Sequence, residues 1–128
     1  MDHSPGFLAL VDEARKRVCE VGIEDYRARA AAGERHVLVD VREDHEWAER
    51  RIPGAVHLGK GVIERDIEAA IPDPATLIVC YCGGGFRSVL VCESLQKMGY
   101  SKVASLAGGI RAWVEAGHAV DGSPPAWP

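Results

Sequence analysis

Hydrophobic and polar residues follow two patterns along the chain, one typical of buried strands and one typical of helices. Short apolar runs predict strands at residues 37–39, 55–58, 77–81 and 103–106. Apolar residues spaced three or four apart predict helices at residues 6–20, 23–32, 43–50, 62–71, 86–98 and 110–116. Strands that alternate with helices predict an α/β fold, with a central, mostly parallel sheet of about five strands flanked by helices on both faces.

Composition and charge narrow the class of protein. A chain of 128 residues of which 47% are hydrophobic is long and apolar enough to bury the core of one domain. The net charge of -4 argues against a nucleic-acid partner. No apolar run is long enough to span a bilayer and the first residues lack the features of a signal peptide, so we expect no membrane partner and a cytoplasmic location. The four cysteines lack zinc-like spacing, and we expect no metal site.

Candidate chemistry lies where the most apolar predicted strand meets the next helix, since ligands bind at the carboxyl ends of parallel strands. This segment consists of Cys82, Gly83, Gly84, Gly85, Phe86, Arg87 and Ser88. Glycines allow successive backbone N–H groups to turn inward as an anion nest, and the helix N-terminus adds further donors. Such surroundings favour the nucleophilic thiolate of Cys82, which indicates covalent transfer chemistry. We expect a side chain at Gly84 to crowd this nest.

Four motifs, in order and spacing, resemble the rhodanese-like domain family. They are residues 38–43 (LVDVRE), 52–55 (IPGA), 82–88 (CGGGFRS) and 106–113 (LAGGIRAW). The resemblance implies a rhodanese-like domain over residues 23–120, preceded by an N-terminal helical extension at 1–22 and followed by a loose C-terminal tail at 121–128.

The resemblance also implies a sulfurtransferase with Cys82 as the catalytic residue. Cys82 would take a sulfane sulfur from thiosulfate or a thiol persulfide, hold it as a persulfide, and pass it to cyanide or a thiol. Residues 83–88 would bind the transferred group, and no cofactor is needed. A protein could serve as sulfur donor or acceptor. Because this loop lacks the cations that follow the cysteine in thiosulfate-specialised members, a persulfide donor is as plausible as thiosulfate.

Two alternatives stay open. Phosphatase and arsenate-reductase relatives share the architecture, but their loops have one residue more between cysteine and arginine. Here four residues separate Cys82 from Arg87, which favours sulfur over a phosphoryl group. The second alternative is a non-catalytic sulfur carrier or interaction module, whose sequence would look the same.

Other polar residues are interpreted mainly as structural. Asp40 and Arg42, at the end of the first predicted core strand, would support the active loop through charge-assisted hydrogen bonds. Glu46 and Trp47 are interpreted as scaffold and packing, and His57 as a hydrogen-bonded histidine without a catalytic role. The remaining cysteines are interpreted as structural, and Cys80 is expected to point to the face opposite Cys82. A close backbone approach is expected at Gly108 and Gly109.

Overall fold

The computed structural model describes residues 3–122, which form six helices and five strands. The helices are α1 (Pro5–Arg15), α2 (Ile23–Ala31), α3 (Asp44–Glu49), α4 (Ile63–Ala70), α5 (Arg87–Lys97) and α6 (Gly109–Glu115). The strands are β1 (Cys19–Val21), β2 (Val37–Asp40), β3 (Val56–His57), β4 (Ile78–Tyr81) and β5 (Val103–Leu106).

The strands form one sheet in the order β1-β5-β4-β2-β3, with every neighbouring pair parallel. β4 lies at the centre, and all four of its residues are buried. One apolar cluster packs with α1, α4 and α5, and a second packs with α2 and α6, so that helices cover both faces. The predicted α/β fold with a parallel sheet of five strands is therefore confirmed.

The N-terminal region departs from the prediction of one helix over residues 6–20. α1 ends at Arg15, and Cys19–Val21 instead forms the edge strand β1, paired with β5. Only Val21 of this strand is buried, so its sequence lacks the apolar run that marks the central strands. Cys19 consequently lies exposed on the sheet edge rather than in a helix.

α1 is held firmly against α5. Val11 and Ala14 are buried in the core cluster. Beyond the end of α1, Arg17 Nη2 forms an ion pair with Glu93 at 2.6 Å, and Gln96 Nε2 donates to the Arg17 carbonyl at 2.9 Å. The ion pair and the hydrogen bond fix the end of α1 beside the carboxyl-terminal half of α5.

The predicted C-terminal tail lies mostly outside the described residues. Asp121 is described, and it exchanges backbone hydrogen bonds with Arg51 at 2.7 and 2.9 Å. Within residues 3–122, no helix combines the length and the apolar character that crossing a membrane requires.

Candidate active site

Cys82 directly follows the central strand β4, at the carboxyl edge of the sheet. Its side chain is 1% exposed, yet polar groups surround the sulfur. The Sγ atom accepts hydrogen bonds from the backbone N–H groups of Gly85 at 3.2 Å and Ser88 at 3.4 Å. These two donors come from the predicted loop segment, which wraps around the sulfur.

Two buried hydroxyls extend this network behind the sulfur. Ser88 Oγ lies 3.4 Å from Cys82 Sγ and 2.7 Å from Ser105 Oγ. A thiolate only accepts hydrogen bonds, so with Cys82 ionised Ser88 donates to the sulfur and Ser105 donates to Ser88. Ser105 was not singled out from the sequence, where its only distinctive feature is a polar residue inside the apolar strand β5.

The loop requires glycine at Gly85 because the chain passes close to a neighbouring loop there. Gly85 has a φ of 92°, and a Cβ at this position would lie 2.9 Å from the Gly108 nitrogen. At Gly84 an added Cβ would meet its neighbours at 3.6 Å or more, which is ordinary contact. The structure therefore corrects the expectation about crowding, since Gly85 rather than Gly84 is the position that excludes a side chain.

The N-terminus of α6 packs directly onto the loop. Ile110 N–H donates to the Cys82 carbonyl and Arg111 N–H to the Gly83 carbonyl, each at 3.0 Å. Gly109 has a φ of 57°, and a Cβ there would lie 2.4 Å from the Cys82 carbonyl oxygen. The predicted close backbone approach at the glycine pair is thus confirmed.

Several loop donors stay available for a ligand. The backbone N–H groups of Gly84, Phe86 and Arg87 donate to no protein acceptor within residues 3–122. Unpaired N–H groups at a helix N-terminus are typical partners for anions.

Arg87 is paired with a carboxylate. Its Nη1 and Nη2 atoms lie 2.7 and 3.1 Å from the two carboxylate oxygens of Glu46 on α3. This hydrogen-bonded pair lowers the pKa of Glu46 from 4.5 to about 2, so Glu46 is anionic at neutral pH. The guanidinium therefore anchors the loop to α3, and its charge is largely neutralised.

Asp40 and Arg42 form a buried ion pair with each other. Arg42 Nη2 lies 2.7 Å from Asp40 Oδ2, and Arg42 also donates to the Arg50 carbonyl. Among residues 3–122, no hydrogen bond joins either side chain to the Cys82 loop. The contact with that loop comes from Glu46 instead, and sequence reasoning assigned Glu46 only to the scaffold.

The His57 side chain is held by a hydrogen bond and a stacking contact within the fold. Its Nε2 atom donates to the Arg42 carbonyl at 2.8 Å, and its ring stacks on Trp47 with centroids 5.0 Å apart. The interpretation of a hydrogen-bonded histidine is confirmed.

Cys80 lies on the same side of the sheet as Cys82, in one core cluster, so the expectation of opposite faces is wrong. Residues two apart on a strand share a face. Its hydrogen bond to Cys92 and its burial raise the pKa of the Cys80 thiol, which keeps Cys80 neutral. Cys82 differs from both because the loop supplies N–H donors to its sulfur.

A cavity of about 460 Å³ opens beside Cys82. Its lining comprises His3, Phe7, Glu46, Cys82, Gly83, Gly84, Phe86, Arg87 and Arg111. His3, Phe7 and Arg111 were not predicted as site residues, because they reach the cavity from segments distant in sequence. Residues 3–122 contain no cluster of three metal-ligating side chains.

A parallel α/β sheet with a glycine-rich cysteine loop at the carboxyl end of its central strand agrees with the fold and loop that the resemblance implied. The family model of the rhodanese-like domain matches residues 23–116, and the chain belongs to that family.

Two of the curated proteins that are similar in sequence are named as sulfurtransferases. “Putative sulfurtransferase YtwF” of Bacillus subtilis is 36% identical over 94 residues, covering 73% of this chain and 88% of the relative. The sulfurtransferase of Allochromatium vinosum is 36% identical over 100 residues, covering 78% and 92%. Among solved structures, a Rhodopseudomonas palustris protein of unknown function, described as a possible tyrosine phosphatase, superposes with a TM-score of 0.80 at 31% identity, covering 94% of this chain and 98% of that one.

Proposed function

We propose that this protein is a sulfurtransferase in which Cys82 carries the transferred sulfur. The observation that carries the proposal is the pair of backbone N–H groups, from Gly85 and Ser88, that point at Cys82 Sγ. A thiol that serves only as a core residue needs no such donors, whereas a reacting thiolate does. Relatives that are named sulfurtransferases support the same chemistry.

In the first step, the Cys82 thiolate attacks the outer sulfur of the donor. A sulfur–sulfur bond to Cys82 forms while the donor's own bond to that sulfur breaks. The donor keeps the electron pair and leaves as sulfite when it was thiosulfate, or as a thiolate when it was a thiol persulfide. The free amides of Gly84, Phe86 and Arg87 are the donors that would stabilise the negative charge on the transferred sulfur.

In the second step, a nucleophilic acceptor attacks the outer sulfur of the Cys82 persulfide. With cyanide the product is thiocyanate, with a thiol it is a new persulfide, and the Cys82 thiolate is regenerated. Neither step needs a general base, because a thiolate is both nucleophile and leaving group. This agrees with a site in which His57 is engaged in structural contacts.

Mass spectrometry of the intact protein after incubation with a sulfane donor tests the proposal. We expect a gain of one sulfur atom in the wild type and none in Cys82→Ser. Cys19→Ser is the matched control, since Cys19 is the exposed thiol most open to non-specific reaction, and this variant should still gain the sulfur.

The loaded protein is then mixed with cyanide or a thiol in a single turnover. Release of the sulfur completes the proposed cycle, whereas loading without release to either acceptor would mark a carrier that needs a partner protein. An adduct that persists in Cys82→Ser, or Cys82-dependent hydrolysis of an aryl phosphate in place of sulfur loading, would contradict the proposal.

A further inference from the structure

The cavity beside Cys82 is much larger than the sulfur atom that is transferred. Thiosulfate has five heavy atoms. If each occupies no more than the volume of one water molecule, about 30 Å³, the whole ion fills at most about 150 Å³. This is roughly a third of the 460 Å³ available, and cavities of that size usually hold organic ligands. The dimensions therefore favour a donor with a carbon skeleton.

The charges that line this cavity favour a single negative group. Arg87 is neutralised by Glu46. Arg111, which is exposed, forms no ion pair within the described part of the chain. Its Nη1 atom lies 3.8 Å from the position of a Cβ at Gly84, so the free guanidinium stands over the loop. The Glu46–Arg87 pair adds little net charge to the same lining, so the charge of Arg111 is matched by one carboxylate.

The cavity also has an aromatic wall formed by His3, Phe7 and Phe86. The His3 ring centroid lies 4.4 Å from that of Phe86 and 5.3 Å from that of Phe7. Arg15 stacks on Phe86 at 5.0 Å and helps to fix the ring. Aromatic side chains of this kind contact the carbon atoms of a ligand and offer little to an inorganic ion.

Two of the three aromatic side chains in this wall come from the N-terminal segment of the chain. His3 and Phe7 precede the residues matched by the family model, which begins at residue 23. The attachment of α1 to α5 holds them in place, through the buried Val11 and Ala14 and the ion pair that follows the helix. The wall is thus built into the fold rather than formed by a loose terminus.

We propose that Arg111 is the specificity-determining cation of this site, and that it binds the carboxylate of a small organic persulfide whose carbon skeleton lies on the aromatic wall. This inference rests on the proposed function. The Cys82 thiolate attacks the outer sulfur of R–S–S–H, the bond between the two donor sulfurs breaks, and R–S⁻ leaves with the electron pair. The proton stays on the transferred sulfur, and charge balances because one thiolate replaces another.

Two matched donors test this assignment. N-acetylcysteine persulfide carries a carboxylate, and the persulfide of N-acetylcysteine amide is its neutral counterpart; thiosulfate is the third donor. Initial rates of thiocyanate formation with cyanide, corrected for the reaction without protein, provide kcat/KM for each. We expect the wild type to prefer the carboxylate persulfide over the amide about fivefold, the usual strength of an exposed charge pair. Thiosulfate should be the poorest of the three.

Arg111→Gln should reduce the preference for the carboxylate to about one, mainly through KM, and Arg111→Lys should restore part of it. Arg35→Gln is the control, because Arg35 is also exposed but lies in the groove at the opposite, amino end of the strands. This control should keep the full preference. Phe7→Ala should reduce the kcat/KM of the persulfides relative to thiosulfate about threefold.

Three results would overturn the assignment: an unchanged preference in Arg111→Gln, no preference in the wild type, or thiosulfate as the best donor. If Cys82→Ser abolishes transfer in these cases, the proposed sulfurtransferase function still stands and only the role of Arg111 fails. Rates that persist in Cys82→Ser, or no transfer from any donor, would reject both.

Discussion

Replacing Glu46 by glutamine isolates the charge of the residue that holds the Cys82 loop against α3. Glutamine keeps an acceptor for the Glu43 N–H, which donates to Glu46 Oε1 at 3.0 Å in the capping box of α3. It removes the carboxylate that pairs with Arg87 at 2.7 and 3.1 Å. The variant therefore measures the ion pair with little disturbance of the helix end.

The expected loss of unfolding free energy in Glu46→Gln follows from the pKa of Glu46. A carboxyl group whose pKa falls from 4.5 to about 2 gains roughly 3 kcal/mol from its folded surroundings at neutral pH. The Glu46 and Arg87 side chains are 25% and 31% exposed, so solvent screening reduces this figure. We expect Glu46→Gln to lower the free energy of unfolding by about 1–2 kcal/mol at pH 7.

The contribution of Glu46 to the free energy of unfolding should decrease as the pH is lowered. Because folding lowers the pKa of Glu46, its contribution is fully present above pH 4.5 and is lost as the pH falls toward about 2. Urea titrations at pH 7, 4 and 2.5 should show the difference in unfolding free energy between wild type and Glu46→Gln shrinking, because below pH 4.5 the unfolded state takes up a proton on Glu46 that the folded state does not yet bind. Glu68→Gln is the control, since Glu68 is exposed and has no ion pair within residues 3–122. A difference that stays constant across this pH range would refute the ion-pair argument.

Three further variants probe the loop and the core. Gly85→Ala should abolish sulfur loading and lower stability by about 1–3 kcal/mol, since its positive φ and the nearby Gly108 nitrogen exclude a Cβ; a fully active variant with unchanged Tm would contradict this. Ser88→Ala should reduce kcat/KM for transfer about tenfold by removing the hydroxyl from Cys82, and an unaltered rate would exclude that hydroxyl from the reaction. Tyr100→Phe should cost about 1–2 kcal/mol in urea unfolding because the Ile71 carbonyl loses a buried 2.6 Å hydrogen bond, and wild-type stability would show that water replaces it.

The fold class and the nucleophile were predictable because the evidence for them is local. Apolar periodicity marks the central strands β2, β4 and β5, whose residues are buried between layers of helices. Likewise, Cys82 and its backbone donors belong to seven consecutive residues. One short motif is therefore enough to predict that backbone N–H groups surround the sulfur.

Other features depend on contacts between distant segments, and the sequence alone could not reveal them. Arg87 is 41 residues from Glu46, and nothing in either segment identifies the other as its partner. β1 was not predicted because its three residues form no apolar run, and the strand is identified only by its pairing with the edge of β5.

The sequence by itself determined the layered α/β architecture and the position of the reactive cysteine, since both arise from short-range patterns of polarity and backbone freedom. Tertiary structure alone decided what surrounds that cysteine: the hydroxyl of Ser105, the Glu46 carboxylate that neutralises Arg87, and the cavity between α1 and α6. The physical reason is that charge pairing and cavity shape are set by which distant side chains the folded chain brings within a few ångströms of one another.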